Sequence, residues 1–309
     1  MGLSLFKFYL CLMEDTSDLL KSMLSGNKRS LARCITIVEN ELPGYEDLLC
    51  ALPVRNNVPV IGITGPPGAG KSTLINAILK QLVEGGKTAG IVAVDPSSPF
   101  TRGSLLGDRL RMAEHFMNDR IFIRSLASRG SLGGLSAKSI EITDVMRAFG
   151  FDMIILETVG VGQSEIEITG LADLTVLVLV PESGDDIQTL KAGVMEIADM
   201  FVVNKSDRPG ADLFVKNLLS LVHSRPGVQA PVIKTIASQS SGITELLASF
   251  SSESVKRKTE KKAWFLAEKA YRLISNKRMM NVSREELETS LRKEILRPEF
   301  NLYEFISHF

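Results

Sequence analysis

The octapeptide Gly65-Pro66-Pro67-Gly68-Ala69-Gly70-Lys71-Ser72 fits G-x-x-x-x-G-K-[ST] and lies between an apolar run, Val58–Ile63, and an amphipathic segment that begins near Lys71. A strand, a glycine-rich loop and a helix in that order are the context this motif requires. Its physics is phosphate binding. Glycines let successive backbone N–H groups converge on phosphate oxygens at a helix N-terminus, where the helix dipole favours negative charge. Lys71 is expected to bridge the β- and γ-phosphates, and Ser72, followed by Thr73, to offer a hydroxyl to Mg²⁺ on the same phosphates.

The surrounding chain reads as the sheet such a loop belongs to. Runs rich in Val and Ile at Val58–Ile63, Ala89–Val94, Ile121–Ser125, Met153–Glu157, Leu174–Val180, Met200–Val203 and Val232–Ala237 alternate with longer amphipathic segments. That alternation is the signature of a parallel sheet with crossover helices. The expected fold is a three-layer α/β nucleotide-binding domain with a mostly parallel sheet over residues 58–252. Residues 1–57 show helical periodicity, as in Leu31-Ile35-Val38-Leu42, with Pro43-Gly44 as a break, and read as an N-terminal helical arm. Residues 253–309 read as a C-terminal helical arm, with a helix after Ser283 whose Glu286 completes a capping box.

Composition removes several function classes. Lys+Arg and Asp+Glu each number 36 in 309 residues, so no net charge draws the chain to nucleic acid or an anionic membrane. The basic run Lys256–Lys262 carries no interleaved aromatics and reads as a solvated helix face. Cys11, Cys34 and Cys50 are odd in number and lack C-x-x-C spacing, which points to a reducing, cytoplasmic compartment rather than a disulfide framework. The apolar stretch Leu3–Met13 is short, broken by Lys7 and without a cleavage site, so no signal peptide is expected. No apolar run approaches the ~18 residues of a membrane span. His115, His223 and His308 are scattered, with no partners at metal-ligand spacing.

The motif alone does not choose the nucleotide. The apolar run Met200–Val203 ends in Asn204-Lys205-Ser206-Asp207, where the Asp207 carboxylate can accept hydrogen bonds from N1 and N2 of guanine. Adenine lacks that donor pair. Ala237 and Ser238 close a later run and occupy the place of a second base-contacting loop. Between these elements lie candidate γ-phosphate sensors. Asp95 ends the second run, and a residue at the carboxyl end of a strand in an open α/β sheet faces the ligand crevice. Thr101 and Asp108 follow in a Gly- and Ser-rich segment with the character of a switch. The fourth run enters Glu157-Thr158-Val159-Gly160-Val161-Gly162-Gln163, similar to a D-x-x-G switch with Glu157 in place of Asp. Glu157 is expected to reach magnesium through water, and the Gly160 N–H to face the γ-phosphate. Val161 occupies the place where Ras-like proteins position the attacking water with Gln, so intrinsic hydrolysis should be slow unless Gln163 or a partner supplies that group.

Taken together, G-P-P-G-A-G-K-S-T, V-D-P-S-S-P-F-T-R-G-S-L-L-G-D-R, R-S-L-A-S-R-G-S-L-G-G-L-S, E-T-V-G-V-G-Q-S-E and N-K-S-D closely resemble the MeaB/ArgK family over Gly26 to Ser249. These are GTPase chaperones of adenosylcobalamin-dependent methylmalonyl-CoA mutase and related acyl-CoA mutases. The resemblance implies a SIMIBI-class G-domain with helical extensions, a homodimer held largely through the C-terminal arm, and GTP hydrolysis that gates cofactor loading and protects the mutase. It implies Lys71 and Ser72 as phosphate and magnesium residues, Asp95, Asp108 and Glu157 as magnesium and switch carboxylates, and Asn204, Lys205 and Asp207 as guanine readers. It also marks Pro181–Lys191, with Asp185, Gln188 and Lys191, as a further switch loop that couples nucleotide state to the client. Many members read G-D-x-x-Q-G-I-K there, and Thr189-Leu190 replace Gly-Ile in this chain.

Three rivals stay open on sequence: a P-loop kinase, a GTP-binding module without useful turnover, and a chaperone of a different metalloenzyme. The kinase needs an acceptor pocket and a base, and neither is identifiable. Nickel-inserting relatives usually carry His- or Cys-rich sites, which this chain lacks.

Overall fold

A computed structural model of the protein describes residues 16–53, 57–95, 115, 117–127, 137–158, 168, 171–184, 198–223, 230–256, 262–279, 282–294, 297 and 300–306. Three helices come first: α1 (Thr16–Leu24), α2 (Lys28–Glu39) and α3 (Tyr45–Cys50). The main body follows as β1 (Val60–Thr64), α4 (Lys71–Glu84), β2 (Ala89–Asp95), β3 (Ile121–Ala127), α5 (Ala137–Phe149), β4 (Met153–Thr158), β5 (Leu174–Leu179), β6 (Met200–Val203), α6 (Ala211–His223), β7 (Val232–Lys234) and α7 (Ile243–Lys256). Short 3₁₀ turns cover Pro181–Gly184 and Ala237–Gln239. A second compact unit, Ala263–Phe309, contains α8 (Lys262–Met279), α9 (Arg284–Glu294) and α10 (Leu302–Ile306).

The seven strands form one sheet in the order β3-β2-β4-β1-β5-β6-β7, and every described pairing is parallel. Both faces are covered, so the strands read as continuous apolar runs rather than alternating ones. In β5, Leu174, Val176 and Val178 pack on one side with Leu74, Ile78, Leu246 and Phe250 of α4 and α7. Leu177 and Leu179 pack on the other with Phe214 and Leu218 of α6. The result is a helix–sheet–helix sandwich, the three-layer α/β fold expected from the alternating runs. At central strand β1 the chain changes direction across the sheet. A loop leaving its carboxyl end therefore opens into the crevice where such sheets bind ligands.

The last run differs from expectation. Val232–Ala237 was expected as one strand, but β7 ends at Lys234 and Ala237 begins a 3₁₀ turn. The Ile236 N–H bonds the Ser241 carbonyl at 3.1 Å and the Ala237 N–H bonds the Asn204 side chain at 3.1 Å, so neither can continue a ladder. At Ser283 the hydroxyl accepts the Glu286 N–H at 3.3 Å, the serine half of the expected capping box.

The N-terminal helices lie on the β3–α5 side. α2 starts where Asn27 Oδ1 accepts the Arg29 and Ser30 N–H groups at 2.9 and 3.2 Å, and it buries Leu31, Cys34, Ile35 and Val38 at helical spacing. The Lys28 ammonium donates to the Asn118, Asp119 and Ile121 carbonyls at the entry to β3. Glu39 pairs with Arg124 on β3, and Glu41 with Lys138 of α5 at 3.0 Å.

Candidate functional site

Between β1 and α4 the chain makes the loop the motif demands, and two of its glycines are forced by close neighbours. Gly70 caps α4 at φ +86°, and a Cβ there would lie 2.5 Å from the Asn204 amide nitrogen. Gly65, at φ +144°, would press a Cβ 2.2 Å from the Val178 carbonyl oxygen. Gly68 is the contrast: its φ is +77°, yet nothing lies within 4 Å of an added Cβ, so this part of the loop faces open space. Lys71 is only 8% exposed, and its ammonium donates to the Gly65 and Pro66 carbonyls at 2.7 and 3.1 Å. A cation at a helix N-terminus runs against the helix dipole, which is the arrangement expected where an anion is to be bound. Ala69 is buried, while Pro67 and Thr73 are exposed at the mouth.

In the first turn of α4, the Ser72 hydroxyl donates to Glu157 Oε1 at 2.8 Å. Glu157 is 6% exposed near the end of β4, where the sheet register sets it beside Ile63 of β1. The register therefore joins two residues 85 positions apart that the sequence assigned separately to magnesium.

The base-side residues gather on the same edge. Asn204 is 2% exposed; its amide donates to the Ala69 carbonyl at 2.9 Å, and its oxygen accepts from the Thr235 hydroxyl and the Ala237 N–H at 3.2 and 3.1 Å. Lys205 adopts φ +56°, and its ammonium reaches the Gly68 carbonyl at 2.8 Å. The Ser206 N–H and hydroxyl both donate to the Thr235 carbonyl at 3.1 Å. Asp207 and Ser238 remain exposed, their side chains accessible to a ligand.

Of the other sequence-assigned residues, Asp95 ends β2 and its backbone pairs with Ala127. Thr101, Asp108, Gly160, Gln163, Asp185, Gln188 and Lys191 lie outside the described residues. Among the described residues no cluster of three His, Cys, Asp or Glu side chains could hold a metal. Sequence reasoning missed the hydrogen bond by which the Thr235 hydroxyl fixes Asn204, and the pairing of Arg208 with Glu182, which lies at the start of the marked Pro181–Lys191 loop. No local signal marks either, because each depends on the neighbouring strand. Among the described residues no helix is long and apolar enough to cross a membrane.

Comparison with known proteins adds to this geometry. The profile of the family described as methylmalonyl-CoA mutase-associated GTPase MeaB matches residues 31–293. A Pyrococcus abyssi protein carrying a GTPase name is 48% identical over 236 residues, 74% of this chain and 73% of that one. The mitochondrial methylmalonic aciduria type A homolog of Mus musculus is 36% identical over 277 residues, 78% of this chain and 66% of that one. A crystal structure of a LAO/AO transport system kinase superposes with a TM-score of 0.67 at 26% identity, covering 92% of this chain and 91% of that one. With its phosphate loop set in a parallel sheet, this chain is a P-loop enzyme that hydrolyses GTP and belongs to the MeaB family of methylmalonyl-CoA mutase-associated GTPases.

Proposed function

We propose that this GTPase is a chaperone that uses its nucleotide state to gate adenosylcobalamin loading into methylmalonyl-CoA mutase, or a related acyl-CoA mutase, and to protect that enzyme. The observation that carries the reading is the match to a mutase-associated GTPase family across residues 31–293, which spans both the phosphate loop and the base loop. The murine relative's name, methylmalonic aciduria type A homolog, points to the same methylmalonyl chemistry.

In this reading the loop amides around Gly68 and the Lys71 ammonium take the β- and γ-phosphates. Phosphate replaces the Gly65 and Pro66 carbonyls as the partner of Lys71. Asn204 fixes the base loop against the phosphate loop, and Asp207 accepts the guanine N1 and N2 hydrogens. The Ser72 hydroxyl is a hard oxygen donor suited to Mg²⁺, and the Glu157 carboxylate beside it would hold that ion through a water. When bound, that ion neutralises charge on the transferring phosphoryl group. Ordering of the loops around Asp95–Asp108, Glu157–Gln163 and Glu182–Lys191 by the γ-phosphate and magnesium, and their release on hydrolysis, is the switch that a partner reads. Val161 in place of a water-positioning Gln makes intrinsic turnover slow and open to acceleration by the client.

The exposed Tyr271, Ile274, Met279, Leu302, Tyr303 and Ile306 of the second unit support a homodimer through the C-terminal arm. Phosphate release measured with and without cobalamin-free mutase tests the whole reading. Stimulated GTP turnover and nucleotide-dependent cofactor transfer are expected. Unchanged turnover together with nucleotide-independent loading would overturn it.

A further inference from the structure

Asp207 sits in a four-residue turn that is held from both sides. On one side Ser206 is bonded twice to the Thr235 carbonyl beyond β7. On the other, the Arg208 N–H closes the turn onto the Lys205 carbonyl at 3.1 Å, and the Arg208 guanidinium pairs with Glu182 in the 3₁₀ turn after β5. Glu182 feels a second cation: its carboxyl is held below the usual carboxylate range first by the hydrogen bond from Arg208, and more weakly by the fields of Arg208 and Lys205. The Asn204 N–H bonds the Leu179 carbonyl at 2.8 Å, so the exits of β5 and β6 already lie side by side.

We propose that Glu182 and Arg208 are positioning residues for base discrimination: their ion pair fixes the Lys205–Arg208 turn so that the Asp207 carboxylate meets the guanine 2-amino group. The inference rests on Asp207 reading guanine. It adds a specificity device drawn from the strand exit of β5, outside the base-loop motif. The two side chains are about half exposed, at 46% and 51%, so the pair supports an effect of about two- to fivefold on binding rather than an all-or-none one. It should also weaken as salt screens the charges.

The test is titration of the full chain with GDP and with inosine diphosphate, which lacks the 2-amino group, reading the ratio of the two dissociation constants. In the wild type inosine diphosphate binds more weakly. Glu182→Gln and Arg208→Ala should each lower the ratio about two- to fivefold, and the reversed pair Glu182→Arg with Arg208→Glu should recover a substantial part of it. High salt should move the wild-type ratio toward that of the single variants. Unchanged ratios in both single variants overturn the proposal, as does an equal weakening of both nucleotides, which would mark the pair as a fold contact only. A wild type that binds both nucleotides equally would instead remove the guanine reading of Asp207 itself, and this inference with it. Thermal unfolding of each variant separates lost folding from lost discrimination.

Discussion

The Asn204 amide donates to the Ala69 carbonyl at 2.9 Å while its oxygen accepts the Ala237 N–H at 3.1 Å, so one buried side chain ties the phosphate loop to both base loops. Gly70 is the price of that approach, since any larger residue would meet the amide. The ends of the nucleotide site are thereby fixed relative to one another before nucleotide arrives, which lowers the ordering cost of binding.

Asn204→Ala should strip a partner from the Ala69 carbonyl, the Ala237 N–H and the Thr235 hydroxyl, all in buried surroundings. The expected loss is about 2–4 kcal/mol of folding stability, read by urea denaturation, together with much weaker GDP binding by calorimetry. Unaltered stability would show that these three groups find other partners.

Gly68→Ala and Gly70→Ala should behave differently although both glycines have positive φ. Both variants carry a strain of about 1 kcal/mol from the left-handed backbone. At Gly68 the added methyl meets nothing within 4 Å, so the protein should fold and lose nucleotide affinity through the loop's open face. At Gly70 the methyl strikes Asn204 at 2.5 Å, so stability and affinity should fall together. Thermal melts with and without GDP distinguish the two outcomes.

Lys71→Ala should leave the fold largely intact and remove about 10²-fold or more of GTP turnover, because a fixed cation at the transferring phosphate is lost. The Gly65 and Pro66 carbonyls lose a partner, the Gly65 one in buried surroundings, so a stability loss of about 1–3 kcal/mol should accompany the lost turnover without unfolding the protein. Single-turnover phosphate release is the readout, and wild-type turnover in the variant would remove Lys71 from the site.

Acid should loosen the amino end of the sheet, opposite the site, where β2 and β4 begin. The Asp152 carboxylate accepts the Thr88 N–H at 2.8 Å and the Thr88 hydroxyl at 2.7 Å, and the backbone bond first of all holds its carboxyl below its ordinary value of 3.8. A carboxyl depressed in the folded state stabilises it above the unfolded value, and that contribution fades as pH falls through the folded one. The gap in melting temperature between wild type and Asp152→Asn should therefore be open at pH 7 and close below about pH 4. A gap that stays constant across that range would show that the carboxylate's charge contributes nothing.

The local pieces of this protein are legible in its amino-acid order. The phosphate loop was legible because its glycines, Lys71 and Ser72 must be contiguous, and β1, β2, β4, β5 and β6 because a strand covered on both faces is a near-continuous apolar run. The N-K-S-D motif was legible for the same reason, being a short loop after such a strand. The family match extends that reading to GTP hydrolysis. What tertiary structure decided was everything that depends on which strand lies beside which. The sheet order puts β4 next to β1, and only then does Glu157 reach Ser72. β7 stops at Lys234, earlier than its apolar run suggested, because Ala237 gives its N–H to Asn204. Gly62 looks like a weak point in a strand until Ile168 and Ala172 are seen packed where its side chain would be, 2.8 and 2.9 Å from an added Cβ. The clasp of Lys28, Glu39 and Glu41 onto β3 and α5, and the pair Glu182–Arg208, likewise have no sequence signature. Periodicity records the face a residue presents to its own element. The partner across the gap is chosen by packing, which brings distant segments together and leaves no local mark in the chain.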